Sequence, residues 1–131
     1  MIHHIAITSE SVERLAAFYR TLPGLFVISE NMEGDVLRSV WFGTNNSKSI
    51  IMIEKGERKA PQALIFDLIS SLVFQTDPQE DEVMKLFDRI FPIIESRTEN
   101  TFYFRDPDGN QLGYSAYPEK LQDFIKIQDW K

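Results

Sequence analysis

The sequence predicts an α+β fold built from two copies of a βαβββ unit. Three observations carry this. The same order of strand-like and helix-like segments occurs twice along the chain. Short internal matches follow that order. The 131 residues are enough for one domain that buries a core without disulfides or a structural metal.

In the first unit, His3–Thr8 (HHIAIT) is apolar and β-branched and reads as a strand. Ser9, Glu10, Ser11 and Glu13 are helix-start residues, and Val12, Leu15, Ala16, Phe18, Tyr19 and Leu22 recur with the spacing of one helix face. Pro23-Gly24 ends that helix. Leu25–Ser29, Val36–Phe42 and Ser49–Glu54 read as strands, with turns at Asn31–Gly34 and Asn45-Asn46-Ser47. A connector at 55–69 opens with the polar stretch KGERKAPQA. In the second unit, residues 70–76 (SSLVFQT) read as a strand. A helix starts at Pro78–Asp81 and runs through Val83, Met84, Leu86, Phe87 and Ile90. Ile93–Glu95, Thr101–Arg105 and Gln111–Ala116 are strands, the last two joined by a DPDGN turn. In that turn Pro107 presets φ, Gly109 permits a positive φ, and Asp106 closes an Asx-type hydrogen bond. Beyond the repeat, Leu121, Phe124, Ile125 and Gln128, with Trp130 close by, predict an amphipathic helix over 118–131 that covers its own domain or contacts a second copy.

The repeat is visible residue by residue. A shift of 67 carries His4-Ile5-Ala6-Ile7 onto Ser71-Leu72-Val73-Phe74, and a shift of 69 carries Phe18, Arg20, Leu22 and Pro23 onto Phe87, Arg89, Phe91 and Pro92. A shift of 61 carries Ile51-Met52-Ile53 onto Leu112-Gly113-Tyr114. The two units, about 2–54 and 70–117, are expected to pack about a pseudo-two-fold within a single domain spanning 1–131.

Composition narrows the function. Fourteen basic and twenty acidic side chains give a net charge of −6, a poor basis for nucleic-acid binding. The absence of cysteine excludes disulfides, zinc-thiolate sites and thiol nucleophiles, and with two histidines any metal site must lean on carboxylates. No apolar run approaches the length of a membrane span, and the first strand does not read as a leader, so a cytoplasmic protein is expected. The scattered glycines form no phosphate loop. Ser71 and Ser115 have no visible base and orienter for nucleophilic catalysis.

HHIAIT, AAFYRTLPGL and TFYFRDPDGNQL together resemble the vicinal oxygen chelate superfamily, over about residues 2–117. Glyoxalase I, fosfomycin-resistance transferases, bleomycin-resistance proteins, extradiol dioxygenases and methylmalonyl-CoA epimerase belong to it. The resemblance implies curved mixed sheets around a concave pocket, helices outside, and frequently a homodimer. It also implies a divalent ion held by side chains on the first and fourth strand of each unit, with open positions for a chelating substrate.

Those ligand positions fall on His4, Met52, Ser71 and Gly113, so one of the four keeps a ligand residue. A thioether is a soft partner for hard divalent ions, and glycine has no side chain. No cofactor is therefore expected. The alternative is a divalent Zn, Ni, Mn or Fe ion on an atypical set in which Glu54, on the same strand face as Met52, substitutes. His3 is expected on the opposite face from His4, which prevents the pair from chelating one ion out of an extended strand. His4 reads either as a general base or hydrogen-bond donor lining a pocket, or as a packed strand histidine. Glu54 reads as a pocket acid or as a solvated carboxylate beside Lys55.

Strand parity places His4, Met52, Glu54, Ser71, Gln75 and Gly113 on a mixed apolar and neutral-polar lining suited to a small organic ligand. Trp41, Tyr103 and Arg105 lie on central strands, where they either stack on or clamp a ligand or are plain core. Three functions remain open. One is a small-molecule-binding protein of the bleomycin-resistance kind. The second is a metal-dependent lyase, isomerase, transferase or dioxygenase with an unusual ion site. The third is a structural homodimer with no ligand.

Overall fold

Alternation of apolar and polar residues along a strand gives a sheet one face to bury and one to present. The computed structural model, which describes residues 3–44, 49–57, 72–75, 85–86, 88–89 and 94–121, realises this twice. The chain divides into two units, Met1–Gln62 and Ala63–Lys131.

In the first unit β1 (Ile5–Ser9) is followed by α1 (Val12–Tyr19), β2 (Phe26–Glu33), β3 (Val36–Gly43) and β4 (Ser49–Lys55). The sheet order is β1-β4-β3-β2, with β1 parallel to β4 and the other neighbours antiparallel. Val12, Leu15, Ala16 and Tyr19 of α1 are buried and meet Val40, Phe42, Ile51 and Ile53, which are all buried on one face of β3 and β4. Tyr19 and Phe42 lie 6.0 Å apart between ring centroids. Full burial of each such side chain contributes about 2–3 kcal/mol. Past the helix, Thr21 and Leu22 donate their N–H groups to the Phe18 and Tyr19 carbonyls, and Gly24 takes φ +85°.

The second unit holds β5 (Leu72–Gln75), β6 (Ser96–Arg97), β7 (Thr101–Arg105) and β8 (Gln111–Ser115), in the order β5-β8-β7-β6. Phe102, Phe104, Leu112 and Tyr114 are buried on one face, with the rings of Phe102, Phe104 and Tyr114 stacked within 6.3 Å of one another. Burial pushes the Tyr114 phenol well above its ordinary pKa. Lys85-Leu86 and Asp88-Arg89 are helical, within the span expected for the second helix.

The pairing reproduces the internal repeat. Ile5 pairs with Ile51 in the first unit and Leu72 with Leu112 in the second, the residues that the shifts of 67 and 61 equate. Across the antiparallel pairs, Trp41 faces Met52 and Tyr103 faces Gly113, which makes Trp41 and Tyr103 counterparts.

Three local expectations are corrected. The strand expected at Leu25–Ser29 runs on to Glu33, and the chain turns at Gly34-Asp35. Gly34 has φ +62° and Asp35 a negative φ, which suits a two-residue turn with glycine first. The polar run Ser29–Glu33 hides this strand because β2 is an edge strand, exposed throughout. Two register shifts interrupt its pairing with β3. The strand expected at Ile93–Glu95 is displaced to Ser96–Arg97, although the Glu95 N–H still donates to the Tyr103 carbonyl at 2.9 Å. The helix expected to reach Leu22 ends at Tyr19. Most of the connector, the 78–84 part of the second helix and the C-terminal helix beyond Leu121 lie outside the described residues.

The DPDGN turn forms as predicted. Asp106 is buried, and its Oδ1 accepts from the N–H groups of Asp108 and Asn110, both at 2.9 Å. Its Oδ2 accepts from Asn110 Nδ2 at 2.8 Å, and Gly109 takes φ +86°. Asp106→Ala strands two backbone donors and is expected to cost about 1–3 kcal/mol, read as a lowered midpoint in urea unfolding; Asp106→Asn, which keeps an acceptor, is expected to lose less.

Candidate functional site

The sheet face turned away from the buried core carries Trp41 and Met52 in the first unit and Tyr103 in the second. In the first unit, His4 is half-buried and its ring lies 4.8 Å from that of Trp41, edge to face at 60°. Trp41 is half-buried and pairs across the sheet with Met52, which on its other side pairs with Ala6 of β1. His4, Trp41 and Met52 therefore occupy one neighbourhood.

Glu54 does not join it. The register sets Glu54 opposite Thr8, four residues along from His4. That is about 13 Å along the strand, too far for His4 and Glu54 to share an ion. The offset speaks against the substitute role expected for Glu54.

The expected separation of the two histidines is also corrected. β1 begins at Ile5, so strand parity does not govern residues 3 and 4. Their Nδ1 atoms lie 2.8 Å apart in a hydrogen bond, with ring centroids 5.0 Å apart.

In the second unit, the position that the resemblance assigns to a ligand carboxylate is closed. A Cβ on Gly113 would lie 2.9 Å from the Phe102 carbonyl oxygen and 3.0 Å from Cδ1 of Tyr103. The Tyr103 ring thus covers the glycine, and the two are cross-strand partners. A glycine inside a strand signals close approach of this kind, and that signal was available in the sequence. Beside the pair, Thr101 donates its hydroxyl to Ser115 Oγ at 2.8 Å. Gln75 pairs with Ser115 through the backbone ladder of β5 and β8, and Ser71 lies outside the described residues.

Arg105 is already engaged. Its Nε and Nη2 donate to the two oxygens of Glu95 at 2.5 and 3.0 Å, and its Nη1 donates to the Gly109 carbonyl at 2.7 Å. This fork joins β7 to the segment entering β6 and to the DPDGN turn. Glu95 has no signature in the local sequence pattern, because the pair forms across ten residues. The Arg105 hydrogen bonds and charge hold the Glu95 carboxyl below its ordinary range, and the same bonds raise Arg105. A depressed carboxyl pKa contributes stability above the unfolded value and loses it as pH falls through the folded one. The melting temperature of Glu95→Gln is therefore expected to lie below the parent at neutral pH, with the gap closing as pH falls through and below about 4.5.

The residues present do not fit the divalent centre implied by the resemblance. Met52 is a thioether, Gly113 is sterically closed, and among the described residues no three His, Asp or Glu side chains come together. The described groove, about 410 Å³ and lined by Glu13, Ala17, Arg20, Glu30, Met32 and Leu37, lies between α1 and the β2–β3 hairpin, on the helix side of the sheet. An Arg20–Glu30 ion pair spans it.

A profile of the Glyoxalase/Bleomycin resistance protein/Dioxygenase superfamily matches residues 1–114. The chain belongs to this superfamily. Solved structures share its fold. The genomically encoded fosfomycin resistance protein FosX from Listeria monocytogenes superposes with a TM-score of 0.64 at 18% identity, over 97% of this chain and 98% of that one. A possible glyoxalase from Bacillus cereus gives 0.63 at 20% identity, over 88% and 98%. FosX from Mesorhizobium loti gives 0.63 at 15% identity, over 94% of each chain. Another crystal of the Listeria protein holds Mn(II) and sulfate. No curated protein sequence matches this superfamily member. Among the described residues no helix is long and apolar enough to cross a membrane.

Proposed function

We propose that this superfamily member is a small-molecule-binding protein that works without the family's divalent centre. One observation carries the reading: Tyr103 covers Gly113 at the position where the family places a ligand carboxylate. The ligand is a small organic molecule. In the first unit it is held by stacking on Trp41 and by a polar group, His4; the corresponding candidates of the second unit are Tyr103, Gln75 and Ser71. Met52 contributes surface. Arg105 serves the ligand only by leaving Glu95. The two units act as one domain, in a cytoplasmic homodimer; these last points follow the superfamily, and light scattering after size exclusion tests the dimer.

The Mn(II) found in one FosX crystal favours a second reading, a divalent-metal enzyme with an atypical ligand set. Elemental analysis separates the two. Tag-free protein is incubated with Ni²⁺, Mn²⁺, Zn²⁺ or Fe²⁺, desalted and measured. The binding reading expects well under one ion per chain in every case. About one ion per chain, lost on His4→Ala, would overturn it in favour of the enzyme. A thermal-shift screen of diverse organic molecules then identifies ligands, whose stabilisation grows as the logarithm of concentration above Kd and disappears in Trp41→Ala.

A further inference from the structure

We infer that His3 and His4 form a two-coordinate site for a monovalent, filled-shell ion, copper(I), bound through both Nδ1 atoms. The observation is the 2.8 Å approach of those two nitrogens just ahead of β1. His3 is exposed and His4 half-buried, so an ion reaches the pair from solvent. The His4 ring is braced by Trp41 at 4.8 Å, leaving the exposed His3 ring as the one that adjusts.

The number of donors selects the ion. Divalent zinc, nickel, manganese and iron ask for three or more protein ligands, and among the described residues no such group exists. Copper(I) has a filled d shell and accepts two nitrogen donors on opposite sides. Metal–nitrogen bonds of about 2 Å place opposed donors about 4 Å apart. The two Nδ1 atoms therefore separate by roughly 1 Å from their 2.8 Å contact, within reach of a rotation of the His3 side chain.

The protons balance without a redox step. In the hydrogen-bonded pair one ring carries its proton on Nδ1 and donates to the bare Nδ1 of the other. Binding moves that proton through solvent to Nε2 of the same ring, so two neutral imidazoles face the ion and no net proton is released. The site shares His4 with the ligand set that the superfamily implies but is a different site. It uses His3, which is no part of that set, and asks nothing of Met52, Ser71 or Gly113.

The test uses the full chain without a polyhistidine tag, carrying Trp130→Phe so that Trp41 is its only tryptophan. Copper(I), supplied anaerobically as its acetonitrile complex, is titrated against bathocuproine disulfonate. One copper per chain is expected, with the emission of Trp41 changing in step because His4 packs on it. Affinity is expected to fall at least tenfold in His3→Ala and in His4→Ala. X-ray absorption of the loaded parent should show two nitrogen donors and no sulfur, a readout that stands even if a variant fails to fold. Equal copper retention by folded His3→Ala would overturn the site, as would a sulfur-containing coordination shell. Zinc bound as tightly as copper(I) would overturn the choice of ion.

Discussion

Gly113→Glu is expected to destabilise the protein and to create no metal centre, although it writes the family's carboxylate back into its usual position. The new Cβ meets the Phe102 carbonyl oxygen at 2.9 Å, and that strand is held in the β7–β8 ladder. Backbone in a ladder yields less readily than a side chain, so the strain falls partly on the sheet. The Tyr103 ring at 3.0 Å must also lift away. Overpacking of this kind costs about 1–3 kcal/mol, and a carboxylate starting from a buried backbone position adds a desolvation cost. Together they lower the melting temperature by roughly 10 °C. Circular dichroism melts check this, with Gly113→Ala to separate strain from charge. Removing the ring as well, in Tyr103→Ala with Gly113→Ala, relieves one of the two clashes. Its cost is therefore expected to be less than the sum of the single changes. An unchanged melting temperature for Gly113→Glu, with a bound divalent ion, would mean that the strand is softer than its pairing indicates and would reopen the enzyme reading.

Phe102→Ala is expected to cost about 3–5 kcal/mol. The side chain has no solvent exposure and stacks with Phe104 at 6.2 Å and Tyr114 at 5.9 Å. The two remaining rings, locked by a β-ladder, cannot close over the vacancy, so the cavity term adds to the lost transfer energy. That loss is a large part of the total stability of an ordinary domain, about 5–15 kcal/mol. Phe26→Ala makes the control: the same chemical change on a side chain 49% exposed at the sheet edge is expected to stay within about 1 kcal/mol. Urea unfolding of both variants measures the difference, and similar midpoints would mean that the second unit lacks a fixed core.

The fold was legible where burial is one-sided. Val40, Phe42, Ile51 and Ile53 recur at every second position because one sheet face packs on α1, and the shifts of 67 and 61 survived as real pairings. The DPDGN turn was legible because its chemistry is local: Asp106, Pro107, Gly109 and Asn110 act on their own backbone. Edges were less legible. Ser29–Glu33 pairs on one side only, so its side chains carry no alternation, and Ser96–Arg97 is too short to show one. The candidate site was half legible. Parity placed Met52 and Glu54 on one face, but it could not tell how far along that face His4 stood from Glu54; the register did. Parity also misjudged His3, because it holds only inside a strand and β1 starts two residues later. The fork between Arg105 and Glu95 is a tertiary contact, to which no periodicity points.

The outer strand of the first unit has a bearing on how the chain behaves at high concentration. β2 leaves Phe26, Val27, Ile28 and Met32 exposed on a sheet margin, the composition from which cross-β aggregates grow. Ile28 is an extra residue between two paired positions, and a second slip follows Asn31. The first bends the margin and breaks the regular spacing of its outward N–H and C=O groups, and the second, with its extra residue Arg38 in β3, adds a further bend. An incoming strand thus finds short, misaligned runs in place of eight residues in step. The irregular pairing lets the protein carry an apolar edge and still resist polymerising through it.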